Sequence, residues 1–412
     1  MSEPHPAAPP SRPLPTPEDE RLSWFARQQR ASVDRAAERV HRELVAHGHA
    51  AKPPLASTGL LTFSAVVLIA LVAAFAVLTW ATFAPKGWLG WAGVVLGWVV
   101  MAGLLPRPHR VADAPTLSSD DFPGTHRLVA ALSTELGVRP PASIHVNLDF
   151  NAFVTGTGWR LRPALVIGLP CWTCLTDDER IALLGHELGH LVGRDQGRVV
   201  VVGQAHRVLE RLATLITPLP AGAYSGLTPS TVDDGGWGGT ATMNWMGSGL
   251  LRVLSLPSLA LLLAFERLAA RDSQRRECLA DLRAADIAGT VATERLMLSM
   301  MNTSGLLTLA GAAVRRREDP FEALEQVRAR PAPTPTAVSE AHARARATGL
   351  RWDDGHPRDD LRLEVITARP VTVDAAALAT RRLLVEAADH ELRTLRPGLS
   401  RELSHELLEA CF

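Results

Sequence analysis

Thr176-Asp-Asp-Glu179-Arg-Ile-Ala-Leu-Leu-Gly-His186-Glu187-Leu-Gly-His190-Leu-Val192 is the stretch on which the reading of this chain turns. Thr176 and Glu179 form a capping box, the hydroxyl accepting from a first-turn amide while the carboxylate reaches back. Asp177 and Asp178 place negative charge where the helix dipole favours it. The pattern predicts a helix that starts at the box and stops near Gly193. His186 and His190 are four residues apart, so both project from one face. Their imidazoles can then hold a single Zn²⁺ at about 2.0–2.1 Å. Glu187, one residue on, lies near the metal but angled away from it, the placement of a general base acting on metal-bound water. Leu183, Leu184, Leu188 and Leu191 make the helix largely buried, and a buried histidine pair calls for a partner such as a metal.

A catalytic zinc needs a third protein ligand and one open position. Downstream, Arg275-Arg-Glu277-Cys-Leu-Ala-Asp281 has helical character and again sets two groups four apart. Glu277 can ligate while Asp281 orients a metal-bound histidine through its second ring nitrogen. Taken alone, an acidic pair on an Arg-rich helix reads first as a solvated face.

Upstream, the chain begins with a proline-rich segment, Met1 to Pro17, read as disordered and lacking a signal peptide. Residues 18–50 have amphipathic helical spacing, which completes a first region, 1–54. No charged residue lies between Lys52 and Lys86, nor from Gly87 to Pro106. Roughly 20 helical residues cross a bilayer core, so 55–106 is expected to be a hairpin of two transmembrane helices turning at Ala84-Pro85-Lys86-Gly87. Arg39, Arg42 and Lys52 before the first span, and Arg107 and Arg110 after the second, put both flanks in the cytoplasm by the positive-inside rule. The chain is therefore expected to be a multi-pass membrane protein with its soluble domain cytoplasmic.

That domain, 107–370, reads as α+β and mainly helical. A helix His126–Leu136 ends at Gly137. Ser143–Asp149 alternates as a half-buried strand, and Ala164–Leu169 is a second, apolar strand. Residues 199–220 and 247–265 are apolar in places but charged in others. Because the ligands on either side must share a compartment, this region crosses the membrane twice or not at all. Residues 371–412 read as a helical tail. Cys171-Trp-Thr-Cys174 has no second cysteine pair to accompany it, and buried free thiols account for it.

These pieces resemble the HtpX-like integral-membrane zinc metallopeptidases, relatives of the CAAX prenyl proteases. The resemblance runs from about 125 to 365 and rests on Asn151-Ala-Phe-Val-Thr-Gly, Thr176-Asp-Asp-Glu-Arg, His186-Glu-Leu-Gly-His190, Glu277-Cys-Leu-Ala-Asp281 and Gly355-His-Pro, in that order. It implies a zincin-like (gluzincin) fold with a small sheet, and one Zn²⁺ held by His186, His190 and Glu277. Glu187 is then the base and Asp281 supports a ligand. Asn151, Ala152 and Phe153 are placed along the strand edge that binds substrate. His356, with Arg362 six residues later, matches the family's late motif, where a donor can stabilise the oxyanion. Cys278 departs from the family, which often carries an aromatic there, and so does the Pro-rich insertion near 329–336.

The expected activity is hydrolysis of a peptide or protein, membrane proteins included, with the peptide extended beside the strand preceding Asn151. The alternative is a membrane scaffold or sensor that retains zinc without cleaving. Lys+Arg and Asp+Glu are both 43, and this balance gives no basic surplus for nucleic acid.

Overall fold

The computed structural model describes residues 24–50, 55–84, 87–105, 114–192, 196–216, 248–329 and 359–409, with 111, 336, 338–340 and 343–344. His356, the turn residues Pro85 and Lys86, the Gly-rich stretch 217–247 and most of the 329–336 insertion lie outside them. The fold is mostly helical, with one small sheet.

Three helices come first: α1 (Trp24–His47), α2 (Leu55–Phe83) and α3 (Trp88–Leu104). α2 and α3 pack on each other: Phe75 meets Trp98 edge-on at 5.4 Å, and Trp98 Nε1 donates to Thr82 Oγ1 at 3.0 Å. Their other faces leave large apolar side chains exposed, from Val66 to Phe83 on α2 and from Trp88 to Val100 on α3. Among the described residues one helix, Ser57–Phe83, is long and apolar enough to cross a membrane, with mean hydropathy 2.8. α3 is apolar but shorter.

The domain that follows opens with α4 (Pro123–Glu135). The chain leaves it through Gly137 at φ +68°, a conformation glycine adopts without Cβ strain. Strands β1 (Ser143–Asn147), β2 (Ala152–Thr157) and β3 (Arg162–Gly168) form one sheet in the order β1-β3-β2. β1 runs parallel to β3 with Ile144 opposite Leu165, and β2 antiparallel with Val154 opposite Leu165. Ala164 to Gly168 is continuously buried, as a central strand covered on both faces should be. The outer edge of β1 is closed by residues 115–117: Leu117 N–H donates to Ile144 O at 2.8 Å, and Val146 N–H to Pro115 O at 3.1 Å.

Helices α5 (Leu169–Cys174), α6 (Asp177–Gly189), α7 (Gln196–Ile216) and α8 (Ser248–Ala288) follow, then α9 (Thr290–Met301), α10 (Thr303–Arg315), α11 (Pro320–Arg328), α12 (Asp359–Thr367), α13 (Ala375–Arg393) and α14 (Arg396–Glu409). The 41-residue α8 organises the molecule. Its first half packs with α2 and α7 through Leu60, Ala205, Leu209, Ala213, Leu262 and Phe265. Its second half lies against α6. Asp272, between the two halves, is buried and accepts from Ser57 Oγ and, at 3.3 Å, from Arg198 Nη2. Behind α8, Leu44 of α1 meets Cys278, Leu282 and Val365. Val385, Ala388, Leu392, Leu403 and Leu407 carry the C-terminal helices into the main core.

Candidate metal centre

The capping box forms as the spacing predicts: Glu179 N–H donates to Thr176 Oγ1, and Glu179 Oε2 accepts from Thr176 N–H at 2.8 Å. α6 then presents His186 and His190 side by side, their rings 4.8 Å apart and nearly perpendicular. The ligand-bearing atoms of His186, Glu187 and His190 lie within 4.8 Å of one another. Close approach of α8 depends on two glycines. A Cβ on Gly185 would sit 3.2 Å from Ala284 Cα, and one on Gly189 3.1 Å from Arg283 Cβ and 3.2 Å from Ala280 Cα. Nothing in the spacing of the histidines announces this contact. The signal in the chain is a Gly-x-x-x-Gly pair interleaved with the histidines.

The approach brings Glu277 to both imidazoles. His186 Nε2 is 3.5 Å from Glu277 Oε2, His190 Nε2 is 3.6 Å from Glu277 Oε1, and the two Nε2 atoms are 3.2 Å apart. A tetrahedral ion with bonds of about 2.0–2.1 Å needs ligand atoms ~3.3–3.4 Å apart. Two imidazole nitrogens and one carboxylate at this spacing fit Zn²⁺, with a fourth position left for water or substrate.

The supporting groups fit a dication as well. His186 Nδ1 lies 2.9 Å from Asp281 Oδ1, and Arg362 clamps the same carboxylate through Nε at 2.7 Å and Nη2 at 2.8 Å. Burial raises the Asp281 carboxyl, but Arg362 and His186 overcome it and bring it down to about 2. Burial lowers the His186 imidazole, but hydrogen bonds to Asp281 and Glu277 raise it to about 10. Arg362 also lies 3.9 Å from Glu277 Oε2, so one guanidinium faces both acidic groups of the second helix.

Arg362, assigned by the late motif to substrate, is found on Asp281. His356 is outside the described residues. Cys278 is buried and faces α1, away from the imidazoles. Cys171 and Cys174 are free and buried, and burial pushes the Cys174 thiol up to about 12, which leaves it inert as a nucleophile.

One expectation is corrected. The strand preceding Asn151 cannot take a peptide on its outer edge, because residues 115–117 already pair there. The terminal strand beside the centre is β2, whose Val154 N–H donates to Glu187 Oε2 at 3.1 Å. Asn151 is exposed, with Oδ1 accepting from Ala152 N–H; Ala152 is buried in the core and Phe153 is half-buried.

A helix carrying His-Glu-x-x-His, here with a glutamate from a second helix beside it, bears the motif of zinc metallopeptidases. The chain belongs to peptidase family M48, whose family model matches residues 121–369, more than half of its length. Comparison with curated proteins and with solved structures gives no match.

Proposed function

We propose that the chain is a membrane-anchored zinc endopeptidase with His186, His190 and Glu277 as ligands and Glu187 as base. The observation that carries this is the approach of Glu277 to the histidine pair: the two Nε2 atoms are 3.2 Å apart, with one Glu277 oxygen 3.5 Å from His186 and the other 3.6 Å from His190. Zinc bound there would supply Lewis acidity, bringing the pKa of a coordinated water towards about 7 and polarising a scissile carbonyl. Glu187, whose carboxylate lies beside both imidazoles, would be the group that holds a proton from an attacking water and passes it to the leaving amine. Asp281, itself gripped by Arg362, lies on Nδ1 of His186 and so orients the ring with Nε2 towards the position a metal would take.

The exposed apolar faces of α2 and α3 support anchoring in a bilayer, since soluble proteins rarely expose patches of this extent. The charge bias of the flanks supports a cytoplasmic domain, and turnover of membrane proteins is the role that fits it. Bound zinc and casein cleavage, measured in detergent for the unaltered chain, Glu187→Gln and Glu277→Ala, test the assignment. The expected result is about one zinc per chain, kept in Glu187→Gln and lost in Glu277→Ala, with cleavage abolished in both. Stoichiometric zinc without cleavage in the unaltered chain would favour the scaffold instead. No zinc would sink the proposal.

A further inference from the structure

The exposed apolar surface has sharp limits. On α2 it begins at Val66 and ends at Phe83, a rise of about 26 Å at 1.5 Å per residue. α3 returns over 17 residues, about 26 Å as well, close to the ~30 Å of a hydrocarbon core. Trp80, Phe83, Trp88 and Trp91 crowd the far rim, where aromatic residues mark a membrane interface.

The contacts of α2 set heights on the rest of the molecule. Ser57 meets Asp272, Gly59 approaches Leu268, and Phe63 meets Phe265. Val66 therefore stands level with about Leu262, fifteen residues before Glu277 on the continuous helix α8. The metal centre is then about 23 Å above the apolar rim.

A second element spans the same gap. The turn between β2 and β3 reaches α7: Gln204 Nε2 donates to Trp159 O at 3.3 Å, and Leu161 packs beside Gly203. Arg198 donates to Ser57 O at 3.0 Å, so Gln204 lies level with about Phe63, one helical turn above the rim. Trp159, Arg160 and Arg162 are all exposed at this tip, the side chains suited to lipid headgroups. From there β2 climbs to Val154, whose amide touches Glu187. Those five residues cover about 17 Å at ~3.3 Å each.

We infer that β2 is a rail from the bilayer surface to the metal centre, so that the protein cleaves membrane-anchored substrates in an extended segment no nearer than about seven residues from the lipid. The estimate follows from ~23 Å at ~3.3 Å per extended residue. This rests on the peptidase and membrane readings above. The substrate leaves the bilayer beside Trp159 and pairs with the edge of β2 by strand addition. The height of the centre then selects the cleavage site by distance as well as by sequence.

The test uses the full chain in lipid vesicles with a model substrate, a 20-residue Leu/Ala transmembrane helix followed by a casein-derived tail. Gly-Ser linkers of 0, 4, 8 and 12 residues separate helix from tail, and cuts are mapped by mass spectrometry. The expected result is a protected zone of about seven residues next to the helix at every linker length, while the free tail peptide is cut without one. Cuts reaching the helix boundary, or a first cut that stays with the same tail residue as linkers grow, would overturn the rail. Failure to cut even the free tail would overturn the peptidase reading, and the rail with it.

Discussion

Helix α6 carries a buried aspartate–arginine clamp at each end. Near its start, Arg180 is fully buried, pairs with Asp389 at 3.0 Å and lies 4.9 Å from the Trp172 ring centre. Near its end, Arg362 grips Asp281, which holds His186. In both, arginine holds a buried carboxyl below its ordinary range. The difference lies in composition. Asp389, Asp177 and Glu325 are each paired with arginine, from Arg180, Arg328, Arg393 and Arg396, and no imidazole among the described residues takes part. The second sets Asp281 and Glu277 between one arginine and two imidazoles. Burial and a shifted pKa thus mark both places, and only the imidazole pair within ligand distance of a carboxylate marks the one that can do chemistry.

The contrast can be broken most forcefully at Asp389. Asp389→Ala leaves Arg180 charged and buried without its main partner, which costs about 3–5 kcal/mol. The thermal midpoint should fall steeply, while zinc per folded chain stays unchanged. Asp281→Asn should behave in the opposite way. Loss of a ligand's supporting partner typically weakens metal binding about 10–100-fold, readable by competition with a chelator, with a smaller change in midpoint. If both variants lost zinc equally, the division between the two clamps would fail.

Gly189→Ala sharpens the comparison from the side of packing. The added methyl meets Ala280 and Arg283 at 3.1–3.3 Å, and overpacking of this kind costs about 1–3 kcal/mol. Because α8 must shift to relieve it, zinc affinity should fall along with stability. Unchanged zinc affinity would show that Glu277 reaches the histidines without that close approach.

The smallest effect is in pH. Burial raises the Asp389 carboxyl, but Arg180 and Arg393 pull it below the ordinary value, about 3.9 for an unfolded aspartate. Its stabilising contribution is therefore complete above about pH 5 and is lost as pH falls through the lowered folded value. The gap in stability between the unaltered chain and Asp389→Asn should narrow between about pH 5 and 3. A gap that stays constant would count against the ion pair.

Local patterns were legible because their causes are local. The capping box, the paired histidines, the uncharged stretches and the alternation at Ile144 and Val146 depend on helix or strand period alone. Glu277 was legible only through resemblance, since an acidic pair among arginines has the same local pattern as a solvated face. β2 was harder still: its role depends on lying at the sheet edge beside Glu187, which strand order decides.

By itself, then, the chain determined a helix able to hold two imidazoles and a base, an uncharged pair of segments, and a half-buried strand. Tertiary structure decided which carboxylate lies beside the two imidazoles, because Gly185 and Gly189 admit α8 to within backbone contact of α6. It also decided which strand edge lies open, since residues 115–117 fill the other. The partners of the buried aspartates were settled there too: Asp389 and Asp281 are the same residue in similar burial, and the arginines that reach them from afar, Arg328 from 61 and Arg362 from 81 residues away in the chain, make one a bolt and the other part of a site.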